Sequence, residues 1–575
     1  MSNYKETYAS WLNSPALNED ERAELLSIAG DDAEIESRFF APLEFGTAGL
    51  RGVMAVGLRR MNRFVVCHAT QALAELIKAE GEAACAAGVV ICYDCRHHSE
   101  EFARLVAGVM AGNGVRAKIF DAMRPTPELS FAIRHYGATA GVNVTSSHNP
   151  KEYNGYKVYW SDGAQLPPEH AATVAAQMEQ IDVFTGIVKK DFDAALRDGD
   201  VSFIGAETDE AFLENVLGQA IDRDAVTRMA DTLKIVYTPF HGAGRVLVPE
   251  ALRRLGVKHL FPVPEQMIPD GDFPTVKSPN PEEPAGFALA IALAKQEDSD
   301  LIIGTDPDSD RIGTMVRGAD GEYHSISGNQ LGVLLLHYII GARKRRGTMP
   351  KNPAAIKTIV TTEMARVVAE AGGVHMDQTF TGFKFMAEKV GEYERGGTYN
   401  YLMAYEESYG YMMGSYVRDK DAVTASMMVA EMAAHYFERG MTLLDALNSL
   451  FETYGYFAEH TLNLIMPGMD GLAKMQALMK DLRENPPAEI SGEPVLRLRD
   501  YLTGQITANG AAVEQTEISG MDVLYFEMGD GASFIVRPSG TEPKIKVYIL
   551  ARGTDSVSCN ANADRYVSFA QSLAE

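Results

Sequence analysis

The chain has 575 residues, 46% of them hydrophobic, and a formal net charge of −25. At roughly 150 residues per domain, this length predicts about four domains with several apolar cores. Non-specific binding to nucleic acid or to an anionic membrane is not expected of so acidic a chain, so we predict neither partner. Any anionic substrate would have to be held by local basic residues against the overall charge.

The sequence predicts a cytoplasmic location. No stretch approaches the ~20 apolar residues of a membrane span, and the N-terminal residues lack an apolar signal core. The five cysteines are few and odd in number, which is typical of a reducing compartment. Cys92 and Cys95 have CxxC spacing, but Cys92 lies in an apolar run, so we predict two unlinked thiols rather than a redox pair.

Short β-rich runs alternate with helical runs, which predicts βαβ units and largely parallel sheets. In the first block we predict strands over 89–93, 117–120, 141–145 and 156–160, and helices over 100–111 and 127–135. In the second block we predict strands over 233–238, 259–263 and 301–305, and helices over 246–255 and 285–295. In the third block we predict strands over 355–361 and 401–405, and helices over 328–344, 363–370 and 422–439.

The last part of the chain has a different pattern. Predicted strands over 460–465, 523–527, 532–536 and 545–550 accompany helices over 471–483 and 556–574, which indicates a smaller α+β domain. The predicted domains are therefore 1–205, 206–324, 325–455 and 456–575.

A serine and a histidine stand where one predicted strand ends. The segment is Val144-Thr145-Ser146-Ser147-His148-Asn149-Pro150, and its proline stops the strand. Functional residues of α/β proteins commonly follow strand ends, so Ser147 is a candidate nucleophile. The chain has no GxSxG segment, so a hydrolase of that type is not indicated. Strand alternation would place His148 on the opposite face from Ser147, so it need not be the base for this serine.

Three carboxylates lie close together on a second loop, within Gly304-Thr305-Asp306-Pro307-Asp308-Ser309-Asp310-Arg311. Oxygen ligands that converge in this way suit a hard divalent cation, Mg²⁺ foremost. An EF-hand would need glycine and glutamate at positions that here hold Arg311 and Arg317. The alternative is an acidic surface turn, which mutual repulsion of the carboxylates disfavours.

A compact basic loop near the C-terminus predicts a phosphate site, with an ordinary turn as the alternative. It is Arg537-Pro538-Ser539-Gly540-Thr541-Glu542-Pro543-Lys544-Ile545-Lys546. Arg537 offers a planar fork for phosphate, and Lys546 adds charge. The hydroxyls of Ser539 and Thr541 can donate hydrogen bonds, and Gly540 allows backbone N–H groups to approach.

Weaker signals come from other loops. Tyr405-Glu406-Glu407-Ser408-Tyr409-Gly410 offers carboxylates and a hydroxyl that could bind sugar hydroxyls, although a solvated turn explains it equally well. The glycine-rich loop over 44–52 could bring Arg51 to an anion or could simply be a turn. The evidence for a binding role is weaker still for two further segments, Thr381-Gly382-Phe383-Lys384 and Arg418-Asp419-Lys420-Asp421. No GxxxxGK[ST] or GxGxxG segment supports nucleotide binding.

Five segments of the chain, in this order, resemble the motifs of the α-D-phosphohexomutase family. They are the Arg51 loop, Thr-Ser-Ser-His-Asn-Pro, Asp-Pro-Asp-Ser-Asp-Arg, Glu-Glu-Ser and Arg-Pro-Ser-Gly-Thr. Asn154-Gly155-Tyr156-Lys157-Val158-Tyr159-Trp160 and the long N-terminal segment resemble its type 2 phosphoglucomutase/phosphopentomutase branch. The resemblance runs from about residue 40 to the end. It implies an α/β fold: three related α/β domains with mixed sheets plus a C-terminal α+β domain of TATA-binding-protein-like shape, around a central cleft.

The resemblance also implies residue roles. Ser147, rather than Ser146, matches the family's phosphoserine. One Mg²⁺ per chain is implied on Asp306, Asp308, Asp310 and an oxygen of phosphorylated Ser147. Arg51 and Lys157 match groups near the reacting phosphate, one of them aiding proton transfer, and His148 is a further candidate catalytic residue. Further matches are substrate contacts: Arg311, Thr381, Gly382, Glu406, Glu407, Ser408 and Lys420. The site for the non-reacting phosphate matches Arg537, Ser539, Gly540 and Thr541, and Lys546 is predicted to bind phosphate beside them.

Two residues depart from the family pattern. Tyr405 replaces the glycine of Gly-Glu-Glu-Ser, and Lys546 stands where many members carry arginine. Both are expected in loops that face the substrate, so the preferred sugar stays open.

Three functions are therefore considered. The first is a phosphoglucomutase acting on glucose 1- and 6-phosphates through a phosphoserine and glucose 1,6-bisphosphate, with sugar 1,6-bisphosphate as activator. The second is a phosphopentomutase, phosphomannomutase or glucose-1,6-bisphosphate synthase on the same scaffold, so that the substrate is a hexose or pentose monophosphate. The third is a non-catalytic sugar-phosphate-binding protein, which would need neither Ser147 nor the three aspartates.

Overall fold

The structure is a computed structural model that describes residues 4–46, 49–466, 471–539 and 544–574. It contains two units. The first runs to Gly328 and includes Ala387–Arg395 and Ser408–Thr442. The second comprises Asn329–Met386, Gly396–Glu407 and the chain from Leu443 onward. The four-domain division at 205, 324 and 455 stays a prediction.

Three helices that the sequence analysis does not predict open the first unit: α1 (Tyr4–Leu12), α2 (Glu19–Ser27) and α3 (Asp32–Phe39). Helix α2 begins with a capping box, in which the Asn18 side chain accepts from the Glu21 N–H and Glu21 accepts from the Asn18 N–H. Apolar side chains of these helices pack on Val56 and Phe64, just beyond the strand that carries Arg51.

A mixed sheet follows these helices. Its region contains β1 (Leu50–Val53), α4 (Arg63–Ala79), α5 (Glu82–Ala87), β2 (Val89–Tyr93), α6 (Ser99–Gly112), β3 (Ala117–Phe120), α7 (Thr126–Tyr136), β4 (Ala140–Val144), β5 (Tyr153–Trp160), α8 (Pro168–Gln180), α9 (Phe192–Asp198) and β6 (Val201–Ile204). The strand order is β1-β5-β4-β2-β3-β6. Strands β4, β2, β3 and β6 are parallel. At one edge of the sheet, β5 runs antiparallel to β4, and β1 runs antiparallel to β5. The four strands predicted between residues 89 and 160 are confirmed.

A second mixed sheet carries the aspartate loop. Its region contains α10 (Ala206–Gly218), α11 (Arg223–Met229), β7 (Lys234–Thr238), α12 (Gly244–Leu255), β8 (His259–Pro262), 3₁₀ turns at Glu265–Met267 and Pro284–Phe287, α13 (Ala288–Glu297), β9 (Leu301–Thr305), β10 (Ile312–Arg317) and β11 (Tyr323–Ile326). The strand order is β11-β10-β9-β7-β8, with β8, β7 and β9 parallel. Strand β9 is buried along its whole length, as an apolar central strand should be, and ends directly before Asp306.

The next part of the chain divides between the two units. Its elements are α14 (Gly328–Arg346), β12 (Pro353–Thr358), α15 (Met364–Gly372), β13 (His375–Thr379), α16 (Phe383–Gly396), β14 (Asn400–Glu406), β15 (Gly410–Met413), α17 (Ala422–Phe437) and α18 (Leu443–Tyr454). In the second unit, β12 pairs in parallel with both β13 and β14. Strand β15 and the deeply buried helix α17 belong to the first unit.

The C-terminal part of the second unit is an antiparallel sheet with helices. Its elements are β16 (Tyr456–Ile465), α19 (Gly471–Glu484), β17 (Glu489–Ile490), β18 (Glu493–Asp500), β19 (Gln505–Ala508), β20 (Ala511–Gln515), β21 (Leu524–Met528), β22 (Ser533–Pro538), β23 (Lys544–Gly553) and α20 (Ser556–Ser572). The strand order is β16-β23-β22-β21-β18-β19-β20. An apolar cluster joins Ile359 and Phe380, beside β12 and β13, to Tyr501 and Tyr525 of this part.

All five cysteines are free. Burial raises the pKa of the Cys92 and Cys95 thiols above the ordinary value, so both stay protonated at neutral pH. The prediction of two unlinked thiols is confirmed. In the part of the chain that the structure describes, no helix has the length and apolarity needed to cross a membrane.

Tyr405 was expected in a loop that faces the substrate, and this expectation is wrong, because the residue lies in strand β14. Its side chain is 1% exposed and packs against helix α14 at Gly332. A Cβ on Gly332 would lie 2.0 Å from Cε2 of the Tyr405 ring, so glycine is needed there. The Tyr405 ring is thus accommodated by a glycine elsewhere in the chain.

We predict that Gly332→Ala lowers the free energy of unfolding by about 1–3 kcal/mol, the usual range for overpacking a buried site. In a Tyr405→Gly background the same substitution should cost much less, because the ring that it meets is gone. Gly341→Ala on the same helix is the matched control, since its Cβ would meet only the end of the Arg345 side chain. Melting temperatures of the four variants check this, and an equal cost of Gly332→Ala in both backgrounds would contradict it.

Candidate active site

Ser147 lies in the turn after β4, which ends at Val144. Its φ of +51° is in the left-handed region, and its N–H donates to Thr145 Oγ1 at 2.9 Å. The Ser147 hydroxyl donates to Asp306 Oδ2 at 2.7 Å. Ser146 is fully buried, and its hydroxyl has no hydrogen-bond partner among the described residues. The two serines therefore differ: Ser147 is the one that reaches the aspartate loop.

The three aspartates converge. Asp306, Asp308 and Asp310 are buried, and each presents a carboxylate oxygen within 4.8 Å of the others. Asp306 Oδ1 accepts from the N–H groups of Asp310 and Arg311, both at 3.0 Å. Asp308 Oδ1 and Asp310 Oδ1 have no hydrogen-bond partner within the described part of the chain. Buried carboxylate oxygens without a partner are costly unless a cation binds them, so this loop fits a hard divalent metal ion.

Two lysines neutralise the other side of this cluster. Lys157 Nζ donates to Asp308 Oδ2 at 2.6 Å and lies 3.2 Å from Asp310 Oδ2. Lys420 Nζ lies 3.3 Å from Asp310 Oδ2 and donates to Asp419 at 3.1 Å. The two lysines therefore occupy the Oδ2 side of Asp308 and Asp310, while the Oδ1 atoms keep their capacity for a ligand.

The aspartates titrate differently because their neighbours differ. Burial, then the charges of Asp308 and Asp310, raises the pKa of Asp306 well above its usual value. Burial also acts to raise the pKa of Asp308, but the Lys157 charge and hydrogen bonds hold it below the usual value. The pKa of Asp310 is likewise lowered: burial and Asp308 oppose this, and the charges of Lys420, Lys157 and Arg311 outweigh them.

His148 and Arg51 lie beside the serine turn. The His148 Nδ1 atom is 3.4 Å from Ser147 Oγ, so the two side chains share a side and the expectation from strand alternation is wrong. The reason is that β4 has already ended at Val144. Burial, then the charges of Arg311 and Arg51, lowers the pKa of His148 well below its usual value, which keeps the ring neutral. The pKa of Arg51 is lowered from its usual value. Burial and the Arg311 charge lower it, and the charges of Asp308 and Asp310 offset only part of this effect.

Arg311 and Ser408 belong to the same neighbourhood of the first unit. The Arg311 Nη1 atom donates to Glu282 at 2.8 Å. A backbone bridge joins Arg311 to Gly410, which places the Ser408 loop next to the aspartate loop. Glu282 is not among the residues that the sequence analysis names.

Two supports of the aspartate loop were also missed by the sequence analysis. The Thr126 hydroxyl donates to Asp308 Oδ2 at 2.7 Å, and its N–H donates to the Asp308 carbonyl at 2.8 Å. The available signal was a hydroxyl residue between prolines at a helix start, in Arg124-Pro125-Thr126-Pro127. The turn after β7 also supports the loop: a Cβ on Gly242 would lie 2.4 Å from Pro307 Cα, and the Ala243 N–H donates to the Pro307 carbonyl.

The other predicted substrate contacts lie in the second unit. Glu406 is the last residue of β14 and is 9% exposed. Glu407 Oε2 accepts from the hydroxyls of Thr358 and Thr361 at 3.3 and 3.4 Å. Thr381 and Gly382 follow β13 and are half-buried.

The basic loop of the second unit brings two cations together. Arg537 on β22 is opposite Lys546 on β23, so their side chains lie on the same face of the sheet. The pKa of Tyr548 is raised, first by burial and then by the negative charge of Glu407, while the charge of Arg537 opposes the rise. Tyr548, Glu407 and Arg537 are therefore neighbours. The Ser539 N–H donates to the Lys544 carbonyl at 2.9 Å. The predicted Gly540 and Thr541 lie outside the described residues.

Four models of one family match this chain. They are the phosphoglucomutase/phosphomannomutase α/β/α domain I over residues 42–184, domain II over 210–320, domain III over 327–454, and the C-terminal domain over 502–558. They confirm the predicted class of three α/β domains with a C-terminal domain. The helices α1 to α3 precede the matched region.

Curated relatives and solved structures with the same family names are also similar to this chain. A phosphoglucomutase of Staphylococcus aureus (strain MSSA476) is 34% identical over 544 residues, which is 92% of this chain and 94% of the relative. A phosphoglucomutase/phosphomannomutase family protein from Burkholderia thailandensis has a TM-score of 0.65 at 18% identity, covering 92% of this chain and 97% of that one. Parafusin, a phosphoglucomutase from Paramecium in its open form, has a TM-score of 0.66 at 17% identity, covering 93% and 95%. At these identities the two structures support the fold alone.

The family models cover most of the chain, and the curated relative matches nearly all of it. The chain therefore belongs to the phosphoglucomutase/phosphomannomutase family, the α-D-phosphohexomutases, and is an isomerase that works by phosphoryl transfer.

Proposed function

We propose that this enzyme interconverts glucose 1-phosphate and glucose 6-phosphate through phosphorylated Ser147 and a glucose 1,6-bisphosphate intermediate. The observation that carries the proposal is the contact between the Ser147 hydroxyl and the aspartate cluster, 2.7 Å from Asp306 Oδ2. A phosphoryl group on this oxygen would stand beside the carboxylates and the basic groups around them. The activity of the curated relative supports glucose phosphate as the substrate.

The reaction requires two transfers. In the first, a sugar hydroxyl attacks the phosphorus of phosphoserine and loses its proton, the bond from phosphorus to Ser147 Oγ breaks, and Ser147 Oγ takes up a proton. The resulting bisphosphate turns around. In the second transfer, Ser147 Oγ gives up its proton and attacks the other phosphoryl group, the bond from that phosphorus to the sugar oxygen breaks, and the sugar oxygen takes up a proton. Asp306 Oδ2 and His148 Nδ1, at 2.7 and 3.4 Å from Ser147 Oγ, are within reach of the Ser147 proton.

The aspartate loop would hold one Mg²⁺ per chain. Asp306, Asp308 and Asp310 form an all-oxygen donor set of the kind that Mg²⁺ prefers, and two of their buried oxygens have no hydrogen-bond partner among the described residues. When bound, the ion would neutralise charge on the moving phosphoryl group. Lys157, Lys420 and Arg311 add positive charge on the protein side, which a chain of net charge −25 needs in order to hold a phosphate ester.

The residues of the second unit are assigned to the rest of the substrate. Within the second unit, Glu406, Glu407, Thr381 and Gly382 are assigned to sugar hydroxyls, and within the first unit Ser408 is assigned to a substrate contact. Arg537 and Lys546 sit side by side on one sheet face and suit the non-reacting phosphate, together with Ser539, Gly540 and Thr541. The free cysteines fit a cytoplasmic enzyme. A sugar 1,6-bisphosphate is the proposed activator, because it can phosphorylate Ser147.

A second candidate is the same reaction on another sugar phosphate, as in a phosphopentomutase, phosphomannomutase or bisphosphate synthase. Lys546, which stands beside Arg537, supports keeping this candidate, since the family resemblance implies arginine in many members at this position. Tyr405 does not bear on the choice of sugar, because its ring is buried against Gly332. Comparing kcat/KM for glucose 1-phosphate, ribose 1-phosphate and mannose 1-phosphate decides between the candidates; glucose 1-phosphate should be highest.

We predict that Ser147→Ala abolishes mutase activity, because the group that carries the phosphoryl is removed. Ser146→Ala is the matched control and should keep the larger part of the activity, since the Ser146 hydroxyl makes no hydrogen bond among the described residues. A coupled assay of glucose 1-phosphate with catalytic bisphosphate measures both variants. Substantial activity in Ser147→Ala, or its loss in Ser146→Ala alone, would refute the assignment of the nucleophile.

Asp310→Asn should weaken Mg²⁺ binding by about 100-fold or more, because it replaces a charged ligand with a neutral one. Calorimetric titration of the free protein with Mg²⁺ measures this without reference to turnover. Asp320→Asn, at an exposed aspartate paired with His324, is the control and should bind as the unmodified protein does. Equal Mg²⁺ affinity in Asp310→Asn and the unmodified protein would place the metal site elsewhere.

A further inference from the structure

Arg96 is a buried arginine that the reaction described above does not use. It follows β2 in the segment Asp94-Cys95-Arg96 and is 3% exposed. A buried guanidinium needs hydrogen-bond partners for its donors, because an unpaired buried charge is strongly destabilising. The partners of Arg96 therefore indicate its role.

Among the described residues, the hydrogen-bond acceptors of its terminal nitrogens all lie between Ser147 and the start of β5. The Nη2 atom donates to the Ser147 carbonyl at 2.6 Å and to the carbonyl of Asn149. The Nη1 atom donates to the carbonyls of Pro150 and Tyr153 at 2.8 and 3.0 Å. Four backbone carbonyls of the nucleophile loop thus converge on one planar fork, an arrangement that only arginine can satisfy.

Asp94 completes the arrangement from the other end of the turn. Its Oδ2 atom accepts from the Thr145 hydroxyl at 2.6 Å and lies 3.3 Å from Arg96 Nε. Its Oδ1 atom accepts from the Ser99 hydroxyl at 2.8 Å and the Arg96 N–H at 3.0 Å. Since Thr145 Oγ1 in turn accepts from the Ser147 N–H, both backbone groups of Ser147 are fixed by one connected network.

That network has a physical task. A non-glycine residue in the left-handed region costs about 1 kcal/mol or more, and Ser147 has a φ of +51°. Without external bonds the turn would relax toward an ordinary conformation. The Ser147 hydroxyl would then leave its place beside Asp306.

Arg96 also contacts the part of the chain that carries the aspartate loop. Its guanidinium carbon lies 5.1 Å from the centre of the Phe273 ring, close enough for a cation–π contact. The loop of Phe273 packs tightly here, because a Cβ on Gly271 would lie 2.7 Å from the His97 nitrogen. Cys95 packs into the apolar cluster that contains Phe273 and Phe240, and Phe240 begins the turn that supports Pro307.

We propose that Arg96 is a positioning residue that holds the Ser147 turn in its left-handed conformation and aligns it, through Phe273, with the aspartate loop. This inference rests on the proposed function of Ser147 as the phosphoryl carrier. Arg96 itself does not touch the reacting atoms; it acts through the backbone of Ser147.

The test measures the kinetics of Arg96→Met, Arg96→Lys and Phe273→Leu. The matched control is Arg197→Met, because Arg197 is an exposed arginine on α9. Arg96→Met should lower kcat by about 100-fold, the effect of a misplacement of about 1 Å, while KM for glucose 1-phosphate changes little. Arg96→Lys should recover part of kcat because it keeps a charge and three donors. Phe273→Leu should give a smaller fall of kcat, and Arg197→Met none.

Hydrogen exchange of the peptide over residues 145–153 gives a second readout that does not require catalysis. Exchange there should be faster in Arg96→Met than in the unmodified protein, by a larger factor than exchange in the rest of the chain, and unaffected in Arg197→Met. Unchanged exchange would overturn the proposal whether or not Ser147 carries phosphate. A fall of kcat that the unfolded fraction fully explains would overturn it as well. Absence of mutase activity in the unmodified protein would instead refute the proposed function, and the exchange result would still test Arg96.

Discussion

The burial of three carboxylates within 4.8 Å of one another is the constraint on which the rest of the site depends. Like charges so close together cannot all stay ionised in a buried place without compensation. The protein supplies part of it with the lysines at the Oδ2 atoms and with backbone N–H groups at Asp306. Two of the remaining oxygens, Asp308 Oδ1 and Asp310 Oδ1, make no hydrogen bond among the described residues, and the Ser147 hydroxyl lies 2.7 Å from Asp306 Oδ2, so the cluster suits a cation beside this serine.

The same constraint explains why distant elements meet at this loop. Thr126 at the start of α7, Lys157 on β5 and Lys420 before α17 all converge on the two later aspartates. Each comes from a different part of the first unit, so the site exists only when the sheets and α17 are assembled. Positive side chains are thus gathered at the carboxylates inside a chain whose net charge is −25. These local charges, rather than the overall field, would supply the affinity that a phosphate ester needs.

Local patterns in the sequence predict much of this arrangement. Apolar runs ending in Ser-Ser-His and in Asp-Pro-Asp predict two loops at strand ends, and the structure has both after β4 and β9. Long-range geometry is what local patterns miss. Thr126 is 182 residues from its partner Asp308, and the fit of Tyr405 against Gly332 joins a strand to a helix far away in the chain. The position of His148 was mispredicted because alternation holds only inside a strand, and the left-handed φ of Ser147 comes from contacts that its neighbours in sequence do not reveal.

Single turnover of the phosphorylated protein tests the central claim most directly. The protein is first treated with glucose 1,6-bisphosphate, and fragmentation mass spectrometry locates the phosphate. It is then mixed with glucose 1-phosphate and Mg²⁺ in the absence of free bisphosphate, and the intact mass is followed. The account predicts phosphate on Ser147, its loss on mixing, and an equal amount of glucose 1,6-bisphosphate formed. Phosphate on another residue, or its release as inorganic phosphate without bisphosphate, would contradict the account.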